Sequence, residues 1–269
     1  MLYSRRMKIL FVGDIVGKMG RQAVAQVLPK WRKNLDPDLT IANVENIAHG
    51  VGLTIQTFEE VRAAGAEFFT TGNHWARKSE GLTLFQDSNL PLIRPVNWVG
   101  NVPGVGYKII EVGTTKVAVI NIMGQIFMHE KCDNPFHALD KVLAELPKGV
   151  KVILVDFHAE ATSEKRAFGH YATKRVSAVL GTHTHISTAD EQIMSGHTAY
   201  ITDVGMCGAT DSVIGDTKDG IIQQFLDQLP RPHEIPEGGE AVVNAVVLEI
   251  DNKTGQAAKI ERLQEFVNI

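Results

Sequence analysis

The sequence predicts an α/β protein with a parallel sheet in its first half and a mixed or second sheet in its second half. Short β-branched runs alternate with helical stretches from residue 8 to residue 71, which is typical of βαβ units. Later in the chain, two pairs of such runs are joined by short turns and predict hairpins. Neither a repeat nor a linker divides the chain, so a single domain over 7–269 is expected after an extension at 1–6.

The first half contains three predicted strands and two predicted helices. The strands are short apolar runs that cover residues 8–12, 39–44 and 67–71. The first helix is expected from about residue 21 toward residue 33, with Pro29 marking a kink or a boundary. The second helix is expected to run through residue 64 from Thr54, whose hydroxyl suits an N-cap.

The second half contains two predicted hairpins, a helix and three further strands. The hairpins pair 107–112 with 116–122 and 241–250 with 257–266. The helix is expected over 134–146, and the strands over 150–157, 177–180 and 198–202.

The composition is that of a globular protein and limits the classes of function. Of the 269 residues, 44% are hydrophobic and 22% are charged, and no apolar run approaches the roughly 20 residues of a transmembrane span. The net charge of −4 gives no general attraction to nucleic acid, so RNA is not indicated as a partner. Cys132 and Cys207 form no metal or disulfide motif, which fits a reducing compartment and a cytoplasmic protein.

Side chains that bind metals or move protons stand at the ends of five predicted strands. They are Asp14, Glu45, Asn46, Asn73, His74, His158, His183 and His185. Because ligands bind outside the carboxyl ends of strands in open α/β sheets, these side chains are expected to share one pocket. Singly, each has a simpler explanation, such as a helix cap for Asp14 or an interior histidine for His158. Their occurrence together favours a metal site.

The ligand types favour a harder transition metal over a structural zinc site. The set contains no thiolate, and its carboxylate, amide and imidazole groups suit Mn, Fe, Zn or Co, with Fe or Mn favoured. The two oxygens of Glu45 can bridge two ions, and paired ions are typical of phosphoester hydrolysis. His74 follows the proposed ligand Asn73 and is free to act as an acid.

Longer segments around these residues carry a family resemblance. They cover residues 9–17, 156–165, 178–185 and 198–206, and include Gly-Thr-His-Thr-His at 181–185. Together with Glu45-Asn46 and Gly-Asn-His at 72–74, they resemble the YmdB family of bacterial phosphodiesterases, within the calcineurin-like metallophosphoesterases. The resemblance extends from about Met7 to the C-terminus.

The resemblance implies a four-layer α/β/β/α metallophosphoesterase sandwich with two mixed sheets, and two metal ions that share Glu45. One ion would take Asp14, Glu45, Asn46 and His185. The other would take Glu45, Asn73, His158 and His183. His74 would be the general acid, while hydroxide held by the metals attacks the phosphorus of a cyclic nucleotide, with 2',3'-cyclic forms favoured. A small phosphodiester is therefore the expected partner, and the subunit number, including a homo-oligomer, is left open.

Two departures from the broader pattern stand out. The first motif of the superfamily usually reads Asp-x-His, whereas this chain has Asp-Ile-Val at 14–16, and Asn46 replaces the missing ligand in the YmdB-like pattern. The family tends to follow Gly-Asn-His with Thr-Trp-Asp, whereas Trp-Ala-Arg stands at 75–77, without an acid to orient His74. This second departure supports an alternative, a metal- or nucleotide-binding regulator of RNA metabolism with little or no turnover.

Other polar residues have simpler explanations. His49 suits either a substrate contact or a role in its own loop. Glu160 and Lys165 are expected at a helix start and in a surface ion pair. Cys207 is expected to be a small buried apolar residue. Positions at the surface or behind the site are expected for His129, His137, His170 and His197.

Overall fold

Thirteen strands and six helices are found in the computed structural model, which describes residues 6–269. The strands are β1 (Met7–Val12), β2 (Asp14–Ile15), β3 (Leu39–Asn43), β4 (Phe68–Thr70), β5 (Tyr107–Val112), β6 (Thr115–Met123), β7 (Val152–His158), β8 (Ala178–Thr182), β9 (Gln192–Met194), β10 (Thr198–Ile201), β11 (Met206–Ala209), β12 (Glu240–Ile250) and β13 (Ala257–Asn268). The helices are α1 (Gly17–Leu35), α2 (Ile55–Ala63), α3 (Ser79–Leu84), α4 (Pro135–Glu145), α5 (Thr162–Ala172) and α6 (Lys218–Asp227). The predicted extension at 1–6 lies outside the described residues, apart from Arg6.

The strands form two sheets, and each sheet mixes parallel with antiparallel neighbours. The first sheet has the order β2-β11-β12-β1-β3-β4, with β13 paired to β12. In it, β1, β3 and β4 are parallel, whereas β12 runs antiparallel to β1 and β13. The second sheet has the order β5-β6-β7-β8-β10-β9, with antiparallel pairs at its two edges. The prediction of mixed sheets is confirmed.

Strand β1 shows why the two sheets stack. Met7, Ile9 and Phe11 face the core between the sheets, whereas Leu10 and Val12 face the core beneath the helices. All five side chains are buried. A strand that is buried on both faces needs a near-continuous apolar run, which is the pattern that the sequence has here.

Helices cover the outer face of each sheet. Val24 of α1 and Phe58 of α2 pack on the first sheet, and Leu139 of α4 and Phe168 of α5 pack on the second. The ring of Phe168 stacks on that of Phe157 in β7, with the centroids 4.0 Å apart. Three hydrophobic cores therefore separate four layers, and the expected α/β/β/α sandwich is confirmed.

The parallel strands determine where polar side chains gather. Strands β1, β3 and β4 are parallel in the first sheet, and β7 and β8 are parallel in the second. Residues that follow these strands meet, since Asp14 after β1 accepts a hydrogen bond from the amide of His183 after β8, at 3.1 Å. One edge of the sandwich therefore carries the carboxyl ends of strands from both sheets.

Several elements differ from the sequence-based prediction. Helix α1 begins at Gly17 rather than near residue 21, and the turn from β2 into it uses Gly17 at φ +60°, where a side chain is disfavoured. It also continues past Pro29 to Leu35. The strands β2, β9 and β11, and the helices α3 and α6, are additional to the prediction.

Within residues 6–269, no helix combines the length and the apolar character that crossing a bilayer requires.

Candidate metal centre and active site

The eight polar residues at the strand ends form one connected network. Each of them contacts at least one other through a hydrogen bond or a close approach of polar atoms. The set is Asp14, Glu45, Asn46, Asn73, His74, His158, His183 and His185. Both sheets contribute, so the network exists only where the two sheets meet.

His158 lies at the middle of one half of the network. Its Nε2 atom is 2.9 Å from Oδ1 of Asn73, 3.1 Å from Nδ1 of His183 and 3.3 Å from Oε2 of Glu45. One ligand atom from each of Glu45, His158 and His183 lies within 4.8 Å of the other two. A cation stabilises oxygen and nitrogen atoms that converge at a buried position.

A hydrogen-bond relay orients the ring of His158. The hydroxyl of Thr182 donates to Oδ1 of Asp156 at 2.6 Å, so it can only accept from Nδ1 of His158, 2.9 Å away. Nδ1 therefore carries a hydrogen, and in the neutral ring Nε2 keeps a lone pair toward the centre. Oδ2 of Asp156 is held in turn by the amide of the Asn43 side chain, at 3.0 Å.

Asn46 lies at the middle of the other half. Its Nδ2 atom donates to Oε1 of Glu45 at 2.9 Å and lies 3.2 Å from Nε2 of His185. On the other side of the His185 ring, Nδ1 lies 2.6 Å from the carbonyl oxygen of Ile214. A carbonyl only accepts, so Nδ1 donates and Nε2 of His185 keeps its lone pair toward the centre, as in His158.

The donor set fits transition-metal cations. Asp14 is fully buried, and its Oδ1 atom has no hydrogen-bond partner among the described residues, so an anionic oxygen is left for a ligand. Gly72 packs against the centre, where a Cβ would lie 2.2 Å from Nε2 of His158 and 2.3 Å from Oε2 of Glu45. Glycine at this position keeps that space open. Carboxylate and imidazole donors of this kind suit Mn, Fe, Zn or Co.

The electrostatic environment of the network favours a positive charge. Burial opposes the charge of Glu45, yet the charge of His158 and hydrogen bonds from His158 and His74 hold the pKa of Glu45 well below its ordinary value. Burial also opposes the charge of His158, but the attraction of Glu45 raises its pKa to about 9. Burial and repulsion from His158 lower the pKa of His183 to about 3. The surroundings of Glu45 thus favour a positive charge beside it.

His74 is oriented by the residues that follow β3. Its Nδ1 atom lies 2.7 Å from Oδ1 of Asn46 and 3.5 Å from Oε1 of Glu45, and its ring borders a cavity. An amide oxygen only accepts, so Nδ1 donates and Nε2 is left for the cavity. Asn46 and Glu45 therefore orient the ring of His74, although no acid stands at 75–77.

Trp75, next to His74, is a core residue. It is buried and packs edge-on against Phe85 and Trp98, with ring centroids 5.0 and 5.5 Å away. The unusual residue after His74 thus has a structural role in an aromatic cluster.

A buried ion pair supports the loop that carries His183 and His185. Nζ of Lys165 lies 2.6 Å from Oδ2 of Asp203, and the two side chains are 1% and 0% exposed. The same carboxylate oxygen accepts from the amide and the hydroxyl of Thr184, at 3.0 and 2.8 Å. The expectation of a surface ion pair for Lys165 is therefore wrong, because this position of α5 faces the sheet rather than solvent.

His183 and His185 occupy a backbone region that usually favours glycine. Their φ angles are +97° and +68°. The amide of His183 donates to Asp14 at 3.1 Å, and this hydrogen bond stabilises the backbone conformation of His183. Oε2 of Glu160 lies 3.1 Å from Nε2 of His183, and Nδ1 of the ring faces the centre. Glu160 therefore borders the site, beyond the helix-start role that the sequence predicted.

A cavity of about 400 Å³ opens in front of the network. The polar centre lines part of the cavity, and His49, for which two roles were left open, also lines it. Residues outside the sequence motifs contribute as well, namely Ile214, Asp216, His233 and Ile235. They lie in irregular segments between β11 and β12, where neither a strand end nor a periodic pattern marks them.

Comparison with known proteins identifies the family. A family model described as YmdB-like protein matches residues 10–263. The chain belongs to the YmdB-like family. The resemblance inferred from the strand-end motifs is thereby confirmed.

Relatives of this YmdB-like chain include a named phosphodiesterase and proteins of solved structure. A Bacillus subtilis protein named 2',3'-cyclic-nucleotide 2'-phosphodiesterase is 43% identical over 257 residues, which cover 96% of each chain. The crystal structure of a phosphatase from Mycoplasma pneumoniae is 34% identical, with a TM-score of 0.91 over 97% of this chain and 94% of that one. A hypothetical protein from Thermus thermophilus is 38% identical, with a TM-score of 0.90 over 97% and 99% of the two chains. These relatives confirm the predicted fold and the predicted enzyme class, a phosphodiesterase.

Proposed function

We propose that the chain is a metal-dependent phosphodiesterase that hydrolyses 2',3'-cyclic nucleotides. The observation that carries this proposal is the cluster of Glu45, His158 and His183, whose ligand atoms converge within 4.8 Å beside the cavity. The 43% identity to the B. subtilis phosphodiesterase supports the choice of ester.

The proposal assigns the network to two cation positions that share Glu45. The first position would be held by Asp14, Glu45, Asn46 and His185. The second would be held by Glu45, Asn73, His158 and His183. The unpartnered Oδ1 atom of Asp14 and the oriented Nε2 atoms of His158 and His185 support this assignment. Iron or manganese is favoured, because oxygen donors outnumber nitrogen donors in the set, and zinc is also compatible with it.

Cations at such positions supply positive charge to the phosphoryl oxygens and lower the pKa of water. The side chains of the protein position the substrate and donate a proton to it. The Nδ1–H of His74 donates a hydrogen bond to Asn46, so Nε2 is the atom that faces the cavity, and in the doubly protonated ring it carries the proton for the leaving ribose oxygen. Water adds to phosphorus, the bond to the 2'-oxygen breaks, and the nucleoside 3'-phosphate is released. General acid catalysis of this kind contributes about 10²–10⁴ in rate.

A regulator with little turnover fits the geometry less well. The sequence feature that supports a regulator is the lack of an acid at 75–77 to orient His74. In the structure, Trp75 is a core residue and His74 is oriented by Asn46. The net charge of −4 gives little attraction for an RNA chain. We therefore favour an enzyme that takes a small phosphodiester.

The test is hydrolysis of 2',3'-cyclic AMP by the purified protein loaded with manganese or iron, with the product identified by NMR. We expect adenosine 3'-phosphate, no turnover after chelation, and recovery when metal is restored. His183→Ala is expected to lose turnover, whereas His170→Ala, an exposed position on α5, retains it. Turnover that survives chelation, or a loaded protein that binds the ester without cleaving it, would overturn the proposal.

A further inference from the structure

The irregular segment 228–239, termed the strap, joins α6 to β12 and borders the cavity. Ile235 of the strap packs closely on two glycines: a Cβ at Gly17 would lie 2.8 Å from its Cγ2 atom, and one at Gly50 would lie 2.6 Å from its Cδ1 atom. Both glycines adopt positive φ angles in turns that flank the metal centre. The strap is therefore seated on the same turns that position the network.

His233 of the strap is fixed by a neighbouring acid. Its Nδ1 atom lies 2.8 Å from Oδ2 of Asp216, and the side chains of His233 and Asp216 are 72% and 17% exposed. A carboxylate only accepts, so Nδ1 donates, and the faces of the ring and its Nε2 atom stay open. The backbone is also held, because the amide of Thr217 donates to the carbonyl of Glu234 at 2.7 Å. An exposed aromatic ring is thus kept in one place at the wall of the cavity.

The cavity is larger than a phosphate group needs. About 400 Å³ lies within the range of pockets that take a whole small ligand. Three apolar side chains also line the cavity, those of Val16, Ile214 and Ile235, and Ile214 is half exposed. Among the described residues that line the cavity, none is Lys or Arg. The wall formed by Ile235 and His233 of the strap therefore suits a flat, uncharged group rather than a second phosphate.

We propose that this strap wall of the cavity is the subsite for the base of a cyclic mononucleotide, with the ring of His233 as the stacking surface and Asp216 as its positioning residue. The inference rests on the proposed function, because the cyclic phosphate must lie at the network for the base to reach the strap. Bases stack on aromatic side chains with little dependence on which base is present. The subsite therefore selects for a base as such, and both purine and pyrimidine esters are substrates.

The experiment compares two esters that differ in the base alone. One is 2',3'-cyclic AMP, and the other is the 2',3'-cyclic phosphate of 1-O-methylribose. The wild-type protein is expected to prefer the first in kcat/KM. His233→Ala is expected to lower kcat/KM for 2',3'-cyclic AMP roughly tenfold, or about 1.4 kcal/mol, mainly through KM. The ester without a base is expected to change less than about twofold.

Three further variants separate stacking from other roles. His233→Phe keeps a flat ring, so we expect it to retain most of the preference for the base. Asp216→Asn leaves the ring of His233 less firmly held, so an intermediate loss is expected. His170→Ala removes an exposed histidine that does not line the cavity and is the matched control. Binding of adenosine 3'-phosphate, measured by isothermal titration calorimetry, is a readout without turnover, and His233→Ala is expected to weaken it roughly tenfold.

The outcomes distinguish the subsite from the proposed function. An equal loss on both esters in His233→Ala, or no change in either readout, would overturn the subsite while leaving the phosphodiesterase intact. A wild-type protein that cleaves both esters equally well would also overturn it. If the wild-type protein cleaves neither ester, the proposed function fails, and the binding of adenosine 3'-phosphate alone then decides whether the strap holds a base.

Discussion

Nζ of Lys165 lies 2.6 Å from Oδ2 of Asp203, and both side chains are buried beneath the loop that carries His183 and His185. Removal of one partner from a buried ion pair leaves the other charge uncompensated, which costs about 3–5 kcal/mol. Because Asp203 also accepts hydrogen bonds from Thr184, the pair links the stability of the core to the geometry of this loop.

Lys165→Met is expected to lower the free energy of unfolding by about 3–5 kcal/mol, measured by urea denaturation, because Asp203 stays buried and charged. The matched control is Lys218→Met, whose partner Asp211 lies 2.7 Å away at the surface. Exposed ion pairs contribute little, so this control is expected to keep the urea midpoint of the wild type. Equal effects in the two variants would contradict a structural role for the buried pair.

Gly72→Ala is expected to abolish metal binding and turnover. The new Cβ would lie 2.2 Å from Nε2 of His158 and 2.3 Å from Oε2 of Glu45, so at least one of these side chains must move. Inductively coupled plasma mass spectrometry measures the bound metal, and circular dichroism monitors the fold. Gly220→Ala in α6 is the control, since its Cβ would meet no atom closer than 3.9 Å. Normal metal content in Gly72→Ala would show that these two atoms are not ligands.

Glu45→Gln is expected to weaken both cation positions, because the shared carboxylate loses its charge. His185→Ala is expected to weaken one position more than the other. Metal-to-protein ratios at saturating manganese are the measurement, with Glu80→Gln on the exposed face of α3 as the control. A saturated wild-type protein that holds a single ion would argue against the two-ion assignment.

His74→Ala is expected to lower kcat on 2',3'-cyclic AMP by about 10²–10⁴ while metal content is unchanged. On bis-p-nitrophenyl phosphate the loss is expected to be smaller, because p-nitrophenolate leaves readily without a proton. The contrast between the two substrates distinguishes an acid from a ligand. If both rates fall equally, or if the variant loses metal, His74 has a different role.

The two cysteines are expected to make stability fall in alkaline solution. Burial raises the pKa of both thiols to about 12, and Glu164 is the leading nearby acid at Cys132. Unfolded thiols ionise from their ordinary value of 9.0, so above that pH the unfolded chain holds fewer protons than the folded one. The stabilising contribution is therefore present below about pH 9 and is lost as the pH rises toward 12.

The measurement is the free energy of unfolding between pH 8 and the highest pH at which unfolding is reversible. The double variant Cys132→Ala/Cys207→Ala is expected to show a shallower alkaline slope than the wild type. In the native protein at pH 8, both thiols are expected to react slowly with iodoacetamide and to react rapidly in urea. Rapid labelling before urea is added would contradict the raised pKa values.

The strand-end pattern explains how much of the site the sequence reveals. Asp14, Asn73 and His158 can be placed together because successive parallel strands deliver their next residues to one edge. The hydrogen-bond relay that orients His158 cannot be predicted in this way. Thr182 and Asp156 meet because β7 and β8 pair in one particular register, and no local pattern in either strand sets that register.

Lys165 and His233 show the same limit in other parts of the fold. A lysine in an amphipathic helix suggests a solvent face, and its burial depends on Asp203, 38 positions along the chain. His233 stands in an irregular segment, where neither a period of 2 nor one of 3.6 residues assigns a side to the residue. Its position at the cavity follows from Asp216 and from the packing of the strap.

The hydrogen bond from the amide of His183 to Asp14 joins residues that are 169 positions apart. During synthesis on the ribosome, Asp14, Glu45 and Asn73 leave the exit tunnel long before β7 and β8 exist. Contacts of such sequence separation form slowly, and the first sheet is itself incomplete until β12 has been made, because β12 pairs with β1. The contact between Asp14 and His183 is therefore expected late in folding, when both sheets have their strands.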